Sequence, residues 1–197
     1  MLDLDRRSFL RIGGAAAAGA VIAPEAASAA TTGRRRPRLS PVSALPRPVR
    51  ATLRQAMTEA VAEARQAVFP FGAVLVDVET GAIVARGHNT VGTDHDPSAH
   101  AEVVTMRTGA AAGVDLRRTV LVTSAESCPM CASCAVWAGV AGVAYGTSIA
   151  YLIRHRWQQI RITQPMVVAQ SFSRMPVVGG VLRRETDPLY ADGPPRT

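Results

Sequence analysis

The sequence predicts an α/β sandwich built around a mixed sheet of about five strands. Three observations lead there: two apolar runs joined by a turn signal over 71–86, alternating helical and strand patterns after residue 100, and no internal repeat. A hairpin that runs into alternating helices and strands gives a sheet with both antiparallel and parallel neighbours.

Residues 48–67 carry Val49, Leu53, Ala56, Met57, Ala60, Val61 and Ala64 at helical spacing, which predicts an amphipathic helix. Residues 71–78 read as a strand ending at Glu79-Thr80-Gly81, a turn signal, with the return strand over 82–86. Residues 100–112 read as a helix closed by Gly113, with Asp96 or Ser98 as its cap. A buried strand over 119–124 leads into an Ala-rich helix over 132–139, then a strand over 140–145 and a helix over 148–157.

The start of the chain has a different character. Asp5-Arg6-Arg7-Ser8-Phe9-Leu10-Arg11 precedes an apolar stretch over 12–23 and then Ala27-Ser28-Ala29. A charged start, a short apolar region and small residues at a cleavage position predict an export signal of the twin-arginine type, cut after Ala29. The apolar stretch is too short for a stable membrane span. The expected organisation is a signal over 1–29, a disordered Pro- and Arg-rich linker over 30–49, one catalytic domain over 50–190 and a tail over 191–197. The expected location is periplasmic or secreted.

The formal net charge of +7 invites a nucleic-acid reading, but its distribution argues against one. Arg34, Arg35, Arg36, Arg38, Arg47 and Arg50 stand with no acid among them, whereas from Ala51 onward thirteen arginines face twelve acids. The body is close to neutral, so phosphate-binding cations do not dominate it. A small-molecule substrate is expected.

Chemistry concentrates in His100-Ala101-Glu102 and Cys128-Pro129-Met130-Cys131. Hydrolytic zinc needs three protein ligands, one open position for water, and a proton acceptor outside the ligand set. His100, Cys128 and Cys131 fit the first requirement and Glu102 the last. Cysteines three apart at a helix start share one face, and the positive helix end favours thiolate. A structural zinc site needs a fourth ligand at paired spacing. Cys134, His88, His95 and His155 do not provide one, and Cys134 reads as a small buried hydrophobe. Read without Glu102, the same cysteines would fit a non-catalytic exported zinc or dithiol protein.

With Pro70-Phe71-Gly72-Ala73-Val74-Leu75-Val76 and His88-Asn89-Thr90 added to Asp96-Pro97-Ser98-Ala99-His100-Ala101-Glu102 and the cysteine motif, the chain resembles the cytidine deaminase-like zinc deaminases, in their guanine deaminase and tRNA adenosine deaminase branch. The resemblance runs over about residues 50–190. It implies a three-layer α/β/α sandwich, one zinc ion per chain, Glu102 as the proton-transferring residue, and a homodimer. It further implies Asn89, Phe71 and Ala101 as substrate contacts; the competing readings are a turn-forming role for Asn89, the weaker of its two, and plain core for Phe71, equal in weight to its pocket role. Two departures stand out. Ser127 occupies the position where the family usually has proline. Residues 146–151, where guanine deaminases usually carry an acid, have none. The expected activity is hydrolytic release of ammonia from a small aminated nucleobase or nucleoside, a guanine-like purine first. A tRNA or other nucleic-acid adenosine deaminase is the alternative. The segment over 176–190 is a candidate to complete a neighbouring subunit's pocket.

Overall fold

The computed structural model describes residues 37–195. The signal expected over 1–29, its cleavage position and the start of the expected linker lie outside the described residues.

Helix α1 (Arg47–Ala64) buries Val49, Leu53, Ala56, Met57, Ala60, Val61 and Ala64, the predicted stripe, and carries Pro48 in its first turn, where the missing N–H costs nothing. Strands β1 (Gly72–Asp77) and β2 (Ile83–His88) form the antiparallel hairpin, turning through Gly81 at φ +72°. A short helix α2 (Val91–Asp94) precedes α3 (Ala101–Ala111). Strand β3 (Thr119–Ala125), helix α4 (Pro129–Ala138), strand β4 (Gly142–Thr147) and helix α5 (Ile149–Arg154) follow in order. Helix α6 (Gln164–Ala169), strand β5 (Val177–Gly179) and helix α7 (Arg183–Thr186) complete the set.

The sheet order is β2-β1-β3-β4-β5. β1 is antiparallel to β2 and β3, whereas β3, β4 and β5 are parallel neighbours. Alternation along the strands divides the core. Val74, Val76, Val120, Val122 and Ala144 pack with α1, and Ala73, Leu75, Leu121, Val143 and Tyr145 pack on the other face with residues of α3 and α4. Helices on both faces leave β3 and β4 buried along their whole length. This is the expected three-layer mixed sheet.

Two expectations are corrected. Part of the stretch expected as disordered linker is folded. The Ser40 N–H donates to the Val177 carbonyl at 2.7 Å, Leu45 is buried with Val49 in the α1-side core, and the Arg50 guanidinium donates to the Ser43 and Leu45 carbonyls at 3.0 and 2.9 Å. Burial of Leu45, worth about 1.5–3 kcal/mol, acts together with these hydrogen bonds to hold the stretch on the domain. Nor does Asp96 or Ser98 cap α3, whose N-cap is His100. Asp96 instead accepts from the Ser98 N–H at 2.8 Å and the Ser98 hydroxyl at 2.6 Å, closing the turn before the helix.

Gly72 lies where β1 meets α1, and a Cβ there would run into the Ala60 carbonyl and the Ala64 amide. Gly72→Ala is therefore expected to cost about 2–4 kcal/mol, read as a lower denaturation midpoint with an unchanged denaturant slope.

Candidate active site

The site forms at one end of the sheet, where β3 and β4 finish, β1 begins and β2 ends. The Gly72 N–H donates to Ser124 Oγ at 3.0 Å, and the Asn89 N–H donates to the Phe71 carbonyl at 3.0 Å. These bonds bring Phe71, Asn89 and the end of β3 to one edge. The Thr90 N–H donates to the Ala99 carbonyl at 3.0 Å, which ties the segment before α3 to the same edge. His100 at the start of α3 and Cys128 at the start of α4 then face each other across that junction.

One ligand atom from each of His100, Cys128 and Cys131 lies within 4.8 Å of the others. His100 Nδ1 is 3.6 Å from Cys128 Sγ, and the two sulfurs are 3.6 Å apart. A tetrahedron around zinc, with its usual bonds of 2.0–2.3 Å, has edges of about 3.5–3.8 Å. The donor set therefore fits zinc in chemistry and in spacing. Among the described residues no further histidine, cysteine or carboxylate joins the group, which leaves one position of a four-coordinate ion. Cys134 packs half-buried against the core and stays outside it, and burial pushes its thiol up.

Charge is arranged tightly here. The Cys131 thiol, with His100 adding to it against the opposing effect of burial, draws Cys128 down to about 4. The same sulfur–sulfur contact, with burial, pushes Cys131 well up. Contact with Cys128 pushes His100 up against the effect of burial. Glu102, 7% exposed, is pushed up by burial and by the Cys128 charge. The protein's own groups cannot all ionise in this space; a divalent cation supplies the charge that would let both thiols do so.

A cavity of about 450 Å³ opens over the cluster. His100, Glu102, Cys128, Phe71 and Asn89, all candidates from the sequence, are among its lining residues. Phe71 packs edge-on to Trp157 at 5.3 Å and against Tyr190 at 5.1 Å, so it is both wall and core. Asn89 Oδ1 accepts from the Val91 N–H at 3.2 Å, leaving its amide NH₂ as the group available to a ligand. Ala101 is buried in the core at the first position of α3 and is not among the lining residues.

Sequence reasoning missed Trp157, Arg156 and Glu126, which also line the cavity. Glu126 receives the Ile149 and Gln164 N–H groups at 2.9 and 3.0 Å, so it ties two later segments to the end of β3. A carboxylate two residues before the first cysteine, just after a buried strand, was the available signal. Tyr190 is fully buried, and Pro194 and Pro195 line the cavity. Ser127, standing where the family usually has proline, is buried with no hydrogen-bond partner for its hydroxyl among the described residues.

A mixed sheet between helix layers, with a His/Cys/Cys cluster at two helix starts, defines the class as a zinc-binding α/β/α protein. Residues 50–147 match the cytidine and deoxycytidylate deaminase zinc-binding region. The chain belongs to that zinc deaminase family. Guanine deaminase of Bacillus subtilis is 45% identical over 78 residues, which are 39% of this chain and 49% of that protein. The chloroplastic tRNA(adenine(34)) deaminase of Arabidopsis thaliana is 41% identical over 96 residues, 46% of this chain and 7% of that protein. The chain thus spans less than two thirds of the length of either relative. The structure of guanine deaminase from Nitrosomonas europaea superposes with a TM-score of 0.62 at 23% identity, covering 79% of this chain and 86% of that one, a likeness of fold.

Cys131→Ser is expected to lose bound zinc while Cys134→Ser retains it, measured by elemental analysis of the purified proteins. Zinc affinity should fall as the pH is lowered, because ligation must release the proton held on Cys131.

Proposed function

We propose that this chain is a zinc-dependent hydrolytic deaminase that releases ammonia from a small aminated nucleobase or nucleoside, a guanine-like purine first. The observation that carries the proposal is the buried, uplifted Glu102 carboxyl on the floor of the cavity that His100 and Cys128 also line. A dithiol or structural metal site has no use for such a group. The likeness to the Bacillus guanine deaminase supports the purine choice.

His100, Cys128 and Cys131 would hold the ion, which supplies Lewis-acid activation of the attacking water. Glu102 takes a proton from that water as its oxygen adds to the ring carbon bearing the amine. It passes the proton to the adjacent ring nitrogen, then moves a second proton from the added oxygen to the amine, so nitrogen leaves as ammonia and a ring carbonyl forms. A carboxyl whose hold on its proton is strengthened by burial suits both directions of transfer. Phe71 and Trp157 offer aromatic faces to the ring, and the Asn89 amide donates to a ring acceptor. Backbone N–H groups at the starts of α3 and α4, that of Ala101 among them, favour developing negative charge.

The Arabidopsis likeness supports a second reading, adenosine deamination in tRNA. The near balance of arginines and acids after residue 50 weighs against it, since a polyanion needs clustered cations. A mobility shift with tRNA at low salt separates the two.

The proposal includes export, on the strength of residues 1–29, and a homodimer. No helix among the described residues is long and apolar enough to cross a membrane. Trp137 and Phe172, 79% and 69% exposed and edge-on at 5.0 Å, supply apolar surface for association.

Glu102→Ala is expected to keep its zinc and lose ammonia release by roughly 10³-fold or more, assayed over a panel of aminated bases. Replacing Arg6 and Arg7 together with lysine should retain the protein inside the cell, seen as loss of the processed form from the exported fraction.

A further inference from the structure

Three helices around the site end with the same pair of backbone hydrogen bonds. After α3, Val114 and Gly113 donate to Gly109 and Ala110 at 3.0 Å each. After α4, Val140 and Gly139 donate to Ala135 and Val136 at 3.3 and 3.2 Å. After α5, Trp157 and Arg156 donate to Leu152 and Ile153 at 3.0 and 3.1 Å. This ending forces one residue into the left-handed region, a place for glycine. Gly113 and Gly139 take it at φ +79° and +72°, but the third position is Arg156 at φ +65°. A side chain with a Cβ is strained there, as at His95 and Leu182, and of these three only Arg156 lines the catalytic cavity.

Arg156 stands on the rim of the catalytic cavity and is the one guanidinium among the described lining residues. Its neighbour Trp157 fixes its place: the indole is 6% exposed and its Nε1–H donates to the Tyr190 carbonyl at 2.9 Å. Arg54, Arg107, Arg117, Arg118 and Arg183 each meet a carboxylate. Arg154 lies over the Tyr151 ring at 5.6 Å. Among the described residues no carboxylate pairs with Arg156, nor with Arg65, Arg161, Arg174 or Arg184, and of these Arg156 is the one that lines the catalytic cavity. Of the acids in the cavity, Glu126 already has both oxygens bound by backbone N–H groups, and Glu102 is buried. Gln158 and Gln159 continue the polar rim, and a cavity of about 450 Å³ has room for more than a bare ring.

We infer that Arg156 selects for an anionic group on the substrate, so that among small aminated heterocycles one bearing a phosphate or carboxylate is preferred over its neutral counterpart. The planar guanidinium fork matches the oxygens of either group. This inference rests on the deaminase reading of the site.

The test uses zinc-loaded full-length protein with matched substrates: a free base, its nucleoside, the 5′-monophosphate and a carboxylate-bearing analogue. The phosphate or carboxylate form should show a kcat/KM at least about tenfold above its neutral counterpart, and which form does so identifies the anion. Arg156→Gly should reduce that ratio by about 10–100-fold while the thermal midpoint holds or rises, because glycine suits the backbone there; Arg156→Lys should restore part of the ratio. Calorimetry with inorganic phosphate should give binding to the wild type that Arg156→Gly abolishes. A ratio unmoved by Arg156→Gly, with no phosphate binding, overturns the inference while leaving deamination standing. Phosphate binding that depends on Arg156, with no ammonia from any substrate, supports the anion site and overturns the deaminase reading instead. Preference for a stem-loop RNA over the monophosphate overturns the small-molecule assignment.

Discussion

The site depends on one electrostatic constraint: a buried thiol, a half-buried thiol and a buried carboxyl are held together against the starts of two helices. His100 and Cys128 are 28 residues apart in sequence, yet their ligand atoms lie 3.6 Å apart. Such a cluster cannot carry three negative charges unaided, which is why Cys128 is drawn down while Cys131 and Glu102 are pushed up. A divalent cation resolves the conflict on the cysteine side and leaves Glu102 as the carrier of protons. Ligation, acidity and proton transfer are therefore consequences of a single packing arrangement.

The sheet makes that arrangement possible. Because β1 runs antiparallel to β3 while β3 and β4 are parallel, the start of one strand and the ends of two others meet at the same edge. Open α/β sheets commonly bind ligands at such strand ends. Glu126 reinforces the junction by holding the first residue of α5 and the first of α6. Phe71, Trp157 and Tyr190 pack as one aromatic cluster, of which Phe71 and Trp157 line the cavity.

What could be read from the sequence was what is encoded locally. Seven small and branched apolar residues at helical spacing announce α1, and each is buried. The hairpin turn at Gly81 and the helix ends at Gly113 and Gly139 announce themselves through glycine. The metal ligands and Glu102 are visible because two tripeptide-scale motifs carry them. β5 was not visible, since a three-residue strand owes its form to pairing with β4 and to the bond from Ser40 rather than to its own pattern. The ordering of residues 40–50 depended on a burial partner far along the chain. Arg156 escaped notice because the usual mark of a left-handed helix end is the glycine it replaces, and Trp157 because a single aromatic at the end of a predicted helix does not reveal which cavity it walls.

The central claim is that one ion is held by an imidazole and two thiolates with a position left open beside Glu102. X-ray absorption at the zinc edge of the loaded protein tests it most directly. The account predicts two sulfur neighbours at about 2.3 Å and two lighter ones, a nitrogen and an oxygen, at about 2.0–2.1 Å. A shell of four protein donors with no oxygen, or protein that takes up no zinc because Cys128 and Cys131 are joined as a disulfide, would contradict it.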